Sequence, residues 1–376
     1  MEERRENIMG TQPINRLLPS MAFPIMLSML VQALYNMVDS VFVSMVSENA
    51  LTSVSLAFPV QNLMIAVSVG TAVGINALLS RRLGEKNFEA ANKVAENGIF
   101  VTVLSWAVFA VFGAACSGLF MGAFTQNAEI LAGGTDYMWI VTVFSLGLFM
   151  SVTMERVLQV TGKTVYQMIS QMTGAVVNII LDPVFIFGLK MGVVGAGIAT
   201  VIGEMAAGIL CLLYLRRLQS VQLEKTALRP TWTVTKMILQ LGFPSLLTQG
   251  LTALVQIVLN NLMRVYGEAS IYGSDMSLSV YGMMMKVYQL AHSMFVGVSS
   301  AIQPINGYNF GAKNYQRVRQ TYRLATGIAV VISAAWWLVY MVFSRQIAGL
   351  FVADHQLYFD CTQHCFRLYM MAFFLY

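Results

Sequence analysis

The chain has 376 residues, 57% of them hydrophobic and only 11% charged, where soluble domains carry about 25% charged residues. Apolar runs long enough to cross a hydrocarbon core as helices, about 20 residues each, recur from end to end and exclude an ordinary soluble domain. Strand-like alternation is absent, which excludes a membrane barrel, so the fold class is an all-α polytopic membrane protein.

In chain order, residues 1–18 read as a retained cytoplasmic tail, too acidic and long for the start of a signal peptide. A first bundle over 19–215 holds predicted spans at 19–46, 53–80, 94–122, 131–154, 164–188 and 193–215. Residues 216–238, with the Arg229-Pro230 turn, are a cytoplasmic linker. The rest, 239–376, is a second bundle with spans at 239–264, 280–306, 321–344 and 357–376, ten in all. With the N-terminus in the cytoplasm, 18 of the 23 Lys and Arg residues fall in the tail, in cytoplasmic loops (Arg156 among them) or, for Arg323, at the cytoplasmic edge of a span. The net charge of +5 therefore reports topology in a plasma membrane. Nucleic-acid binding is disfavoured. The four cysteines, Cys116, Cys211, Cys361 and Cys365, all sit in spans, which argues against a disulfide framework.

The two bundles repeat each other. Gly70, Gly84, Lys86, Asn87 and Phe88 return 227 positions later as Gly297, Gly311, Lys313, Asn314 and Tyr315, and Pro24 returns as Pro244, 220 positions on. The seven-residue difference is assigned to a longer external loop near Gly267–Ser279. Six spans per bundle is an even number, so the repeats are parallel, with a binding site expected where they face each other. Transport is the first hypothesis. The second repeat ends about midway through its fourth span, so a C-terminally truncated twelve-helix architecture is expected.

Carboxylates inside spans cost several kcal/mol unless protonated, paired or hydrated. Asp39 interrupts the first span, Asp182 the fifth and Glu204 the sixth. Counted from the external ends, Asp39, Asp182 and Thr200 share a depth of roughly 10 Å. Asn178 precedes Asp182 by four and Glu204 follows Thr200 by four, so each pair shares a helix face. A proton or sodium ion is the chemistry such a cluster suits. Pro183 removes a backbone donor, so a helix bend is expected beside Asp182; a structural reading of Asp182 is that it satisfies backbone freed by that proline. Lys286 and His292 are a candidate polar site in the second bundle, against snorkelling for the lysine and packing for the histidine.

Other patterns carry less. Gly192, Gly195 and Gly197 resemble a dinucleotide fingerprint but join two membrane helices with no strand before them. Cys361, His364 and Cys365 share a helix face without making a convincing metal site, and no metal or organic cofactor is expected. No nucleophile–base set marks an enzyme. The 26 methionines offer an adaptable surface but more simply pack. Tyr35, Phe58 and Tyr281 could stack on planar cations.

QPINGYNFGAKN (303–314), SRRLGEKNF (80–88) and N-x-x-x-D-P (178–183) resemble the multidrug and toxic compound extrusion transporters, in their bacterial DNA-damage-inducible-protein-like branch. The resemblance covers essentially the whole chain. It implies that Asp39, Asn178, Asp182 and Thr200 form a first-lobe cation site, and that cationic amphipathic compounds leave in exchange for protons or sodium. A monomer in the bilayer is expected. The second lobe lacks the acids: Asp39 falls opposite Leu259. The alternatives are a lipid-linked oligosaccharide flippase, which should line its cavity with cations, and a non-transporting truncated remnant.

Overall fold

Backbone in a hydrocarbon environment must satisfy its own hydrogen bonds, and long apolar segments do so as helices. The computed structural model describes residues 7–216, 230–349 and 356–371. The described residues form α1 (Ile8–Thr11), α2 (Ile14–Ser44), α3 (Glu48–Gly84), α4 (Phe88–Gly122), α5 (Ala128–Val143), α6 (Leu146–Val160), α7 (Thr164–Pro183) with a π-helical turn (Val184–Gly188), α8 (Gly192–Arg216), α9 (Trp232–Glu268), α10 (Gly273–Gly311), α11 (Tyr315–Gly349) and α12 (Gln356–Met371). In order, the ten expected spans fall on these helices. Among the described residues, seven helices are long and apolar enough to cross a membrane by length and composition, or eight if the bent pair α5 and α6 counts as one span. The polar residues of α10 are tolerated because it packs on protein, against α2, α3, α9, α11 and α12. Most of the predicted linker, 217–229, and the end of the last predicted span, 372–376, lie outside the described residues.

The repeated motif is a helix stop followed by a helix start. Lys86 and Lys313 both adopt left-handed backbone, at φ 56° and 58°, which ends the preceding helix. The next residue then caps the following one: Asn87 Oδ1 accepts from Ala90 N at 3.0 Å, and Asn314 Oδ1 from Arg317 N at 3.4 Å. The glycines before them serve the contact between bundles. A Cβ on Gly84 would meet the Tyr308 carbonyl oxygen, and one on Gly311 would meet the Arg81 carbonyl oxygen. Arg81 and Tyr308 are themselves 227 positions apart, so this is one contact seen from both ends of a pseudo-two-fold axis. Gly70 against Leu246 and Gly297 against Met26 repeat the relation.

Through these crossings α3 packs on α9 and α10 on α2, and the core near the basic loops belongs to both bundles: Leu17, Leu18 and Met21 with Ile75, Leu79, Ile238, Ile305 and Tyr308. At the other end the bundles are not joined in this way. Between Phe243 and Tyr266, α9 has no buried residue. The cleft therefore opens away from the basic loops. Met283 and Met284 serve as packing, buried with Tyr340 and Phe366 in the core of the second bundle.

A polar clasp reinforces the closed end. Arg317 donates through Nη2 to the carbonyls of Met9 (3.0 Å) and Gln12 (2.7 Å) and through Nε to Asn309 Oδ1 (3.0 Å). Asn309 Nδ2 also reaches Met9 O at 3.0 Å. Its counterpart on the first bundle is Asn97 Oδ1, which accepts from Thr231 N (2.8 Å) and Thr235 Oγ1 (3.2 Å). Arg317→Ala removes three charge-assisted bonds at once. A cost of about 1–3 kcal/mol is expected, seen as a melting temperature several degrees lower for the detergent-solubilised protein.

Three expectations are corrected. The span expected at 131–154 is two helices bent by 42° at Phe144–Ser145, and α6 runs on to Val160. Glu155 and Arg156 are thereby drawn out of the predicted cytoplasmic loop into the interior, 7% and 9% exposed. The long external loop near Gly267–Ser279 is a four-residue connection between α9 and α10; the extra residues lengthen the helix ends instead, because lengthened helices keep their backbone bonded. The bend expected at Pro183 takes another form, a π-helical turn closed by Leu189 N to Val184 O at 2.8 Å, since the proline withholds a donor and the ladder slips by one residue.

Candidate functional site

Three helices of the first bundle turn polar stripes toward one another. On α7, Gln167, Gln171, Asn178 and Asp182 recur at helical spacing, with Gly174 and Ala175 leaving room between them. α2 contributes Gln32, Tyr35 and Asp39, and α8 contributes Thr200 and Glu204. α6 adds Ser151 and Glu155, one turn apart.

At the open end, Asp39 of α2 and Asp182 of α7 are electrostatic neighbours. Two neighbouring carboxylates repel unless a proton or a small cation neutralises them. Asp182 is fully buried and Asn178 is 2% exposed. With its amide turned to satisfy both neighbours, Asn178 donates to Asp182 Oδ2 at 3.2 Å and accepts from Thr200 N at 3.2 Å. Thr200 Oγ1 donates to Ala196 O at 3.0 Å. Tyr35 and Tyr137 border the carboxyls, and Tyr137 Oη accepts from Gln61 Nε2 at 3.1 Å. Among the described residues, the buried Oδ1 of Asp39 has no hydrogen-bond partner.

Below this cluster lies a cavity of about 80 Å³, lined by Gln32, Tyr35, Asn178, Thr200, Glu204 and Glu155 among others. No lining residue is Lys or Arg. Gln171 Nε2 donates to Gln32 Oε1 at 2.9 Å across it. At its far end Arg156 Nη1 donates to Gln159 Oε1 (3.0 Å), Asn76 Nδ2 to the same oxygen (3.3 Å), and Gln159 Nε2 to Gln167 Oε1 (2.9 Å).

Asp39, Asn178, Asp182 and Thr200 are thus in one cluster beside Pro183, and Glu204 lines the cavity one turn below Thr200. Lys286 and His292 are not brought together. Lys286 is exposed, while His292 stacks on Tyr288 at 5.6 Å, and six residues on one helix put them about 120° apart. Of the aromatics, Tyr35 lines the cavity, Phe58 is 44% exposed and Tyr281 is buried. Sequence reasoning missed Glu155, Gln171 and Gln32. The α7 stripe Gln167–Gln171–Asn178–Asp182, read at a period near 3.6, carried the signal for the α7 members.

The pattern that defines the MatE family matches residues 24–184 and 244–376. A multidrug export protein, MepA of Staphylococcus haemolyticus, is 25% identical over 338 residues, 89% of this chain and 73% of that protein. A solved multidrug resistance transporter of the MATE family and MOP superfamily, in an outward-facing conformation, superposes with a TM-score of 0.90 at 24% identity, covering 100% of this chain and 82% of its own. A MOP superfamily transporter from Pyrococcus furiosus, described as having a binding pocket of reverse polarity that suggests a different function, gives 0.90 at 23% identity with the same coverages. At such identities the superpositions speak for the fold. The family pattern spans both repeats, and the chain belongs to the MATE family of multidrug efflux transporters.

Proposed function

We propose that this protein exports organic cations in exchange for protons by alternating access, with its N-terminus in the cytoplasm of a plasma membrane and the chain working as a monomer. The observation that carries the reading is the buried polar cluster of neighbouring Asp39 and Asp182 with Asn178, which bridges Asp182 and Thr200. In that orientation the open cleft faces outward. The carboxyl pair takes up a proton from outside, which neutralises it and releases a bound cation. When the cytoplasmic side opens, the proton leaves and the next cation loads. Pro19 and Pro24 inside α2 leave that helix short of backbone hydrogen bonds and able to bend as the pair titrates. Asp39, Asn178, Asp182 and Thr200 are the coupling residues, and Glu204 extends the same polar surface.

The alternative, a flippase, would need cationic partners for its pyrophosphate carrier, and binding of an anionic lipid carrier in place of ethidium would favour it. Ethidium movement in proteoliposomes provides the test. A pH step alone should drive it, and a sodium step at constant pH should not. Drive by sodium alone would replace the proton with sodium in the same cluster. No drive by either gradient would overturn the antiport reading.

A further inference from the structure

The cavity is the wrong size for a drug and the right size for water. Drug-sized ligands occupy roughly 300–1,000 Å³, whereas about 80 Å³ holds several waters. Polar side chains, Gln32, Gln171, Asn178, Thr200, Glu204 and Glu155, recur along the cavity between apolar ones such as Leu148 and Val152. From Asp182, the α7 stripe descends through Asn178 to Gln171 and Gln167, a run of 15 residues or about 22 Å. Among the described residues, the buried Gln171 Oε1 has no hydrogen-bond partner. At the lower end stands Glu155, 7% exposed and lining the cavity. Membrane-buried carboxylates that only stabilise a fold are costly, and the antiport scheme above does not use this one.

We propose that the first-lobe cavity is a proton conduit and that Glu155 is its cytoplasmic-side relay residue, receiving the proton that Asp39 and Asp182 release. The inference rests on the proton-coupled reading of that pair. Each transfer moves one proton: an O–H bond breaks at the aspartate pair, water hands the proton down the cavity, and an O–H bond forms on the Glu155 carboxylate. Release to cytoplasmic water restores the carboxylate.

The groups facing Glu155 fit the role. Arg156 on its own helix is its charged neighbour, Gln167 of α7 lies beside it, and Cys211 of α8 is the titratable group nearby. Arg156, held at Gln159, steadies the charged form between transfers. Glu204, on the wall between the two ends, gives the chain an intermediate stop.

The competing explanation is a structural Glu155–Arg156 pair, and neutralising both charges separates the two. The experiment compares Glu155→Gln, Glu155→Asp, the double variant Glu155→Gln with Arg156→Gln, and Asp39→Asn in proteoliposomes. Two rates are read for each, ethidium efflux driven by a pH step and ethidium self-exchange at equal pH, and the melting temperature is recorded. Glu155→Gln is expected to lose at least tenfold in driven efflux and keep self-exchange within twofold. Glu155→Asp should recover part of the driven rate, and the double variant should not recover it. Recovery in the double variant, or parallel loss of self-exchange and melting temperature in Glu155→Gln, assigns Glu155 to structure and overturns the proposal. Normal driven efflux in Glu155→Gln with loss in Asp39→Asn overturns the relay alone. Normal driven efflux in both removes the coupling reading beneath it.

Discussion

Asp39→Asn and Asp182→Asn are each expected to cut pH-driven ethidium efflux by about tenfold to a hundredfold, the range of a coupling free energy of roughly 1–3 kcal/mol. An amide has the shape of a carboxylic acid but cannot exchange a proton, so coupling is removed while bulk is kept. At position 39 the new amide can donate to the neighbouring Asp182 carboxyl. At position 182 the new amide oxygen still accepts from Asn178, which sits 3.2 Å from Asp182 Oδ2 in the native protein. Packing is therefore preserved. Membrane insertion, helix content and melting temperature should stay near those of the native protein, and this separates a coupling role from a structural one. Parallel loss of fold and transport would return Asp182 to the simpler task of satisfying backbone beside Pro183. Efflux at the native rate in both variants would remove the pair from the mechanism.

Much of this arrangement was legible in the chain because its signals are local. Asn178 and Asp182, and Thr200 and Glu204, are one turn apart, and helical periodicity alone put each pair on one face. Counting from the span ends then placed Asp39 at nearly the same depth as its partners. The repeat was legible for a similar reason: a left-handed lysine followed by a capping asparagine is a short motif with fixed spacing. Glu155 was not legible. The sequence reading ended the fourth span at residue 154, since Glu155-Arg156 resembles the polar edge of a helix. Only the bend at Phe144–Ser145 and the continuation of α6 to Val160 carry those charges inward. The Arg317 clasp was equally hidden, because it joins residues about 300 positions apart and no local pattern announces it. Lys286 lies within a predicted span, near its external third, where an internal charge and a snorkelling lysine look alike in sequence. Its exposure shows that position along a helix does not fix direction around it.

The glycines between the bundles carry the second large effect. Gly84→Ala and Gly311→Ala are each expected to shift the protein out of the state closed at the basic-loop end by about tenfold or more. In the closed state the added methyl would be driven into a backbone carbonyl of the facing helix, at Tyr308 for Gly84 and at Arg81 for Gly311. Backbone cannot rotate aside as a side chain can, so the cost belongs at the upper end of overpacking, about 3 kcal/mol. A state in which the two helices separate escapes it, and a differential cost of that size moves a two-state equilibrium. Gly250 and Gly327 supply the control, since a Cβ there meets nothing within 4 Å. Alanine at either position should leave the equilibrium unchanged and add up to about 1 kcal/mol of helix propensity. Spin labels at Leu51→Cys and Ile271→Cys, both exposed at the open end, report the result as a distance distribution in a background without native cysteines. Gly84→Ala and Gly311→Ala should shorten that distance, because opening one side closes the other. An unchanged distribution for both, with Gly250→Ala as reference, would mean that the two bundles do not rock about these crossings. A change in Gly84→Ala without one in Gly311→Ala would show that the pseudo-two-fold contact is symmetric in geometry but not in energy.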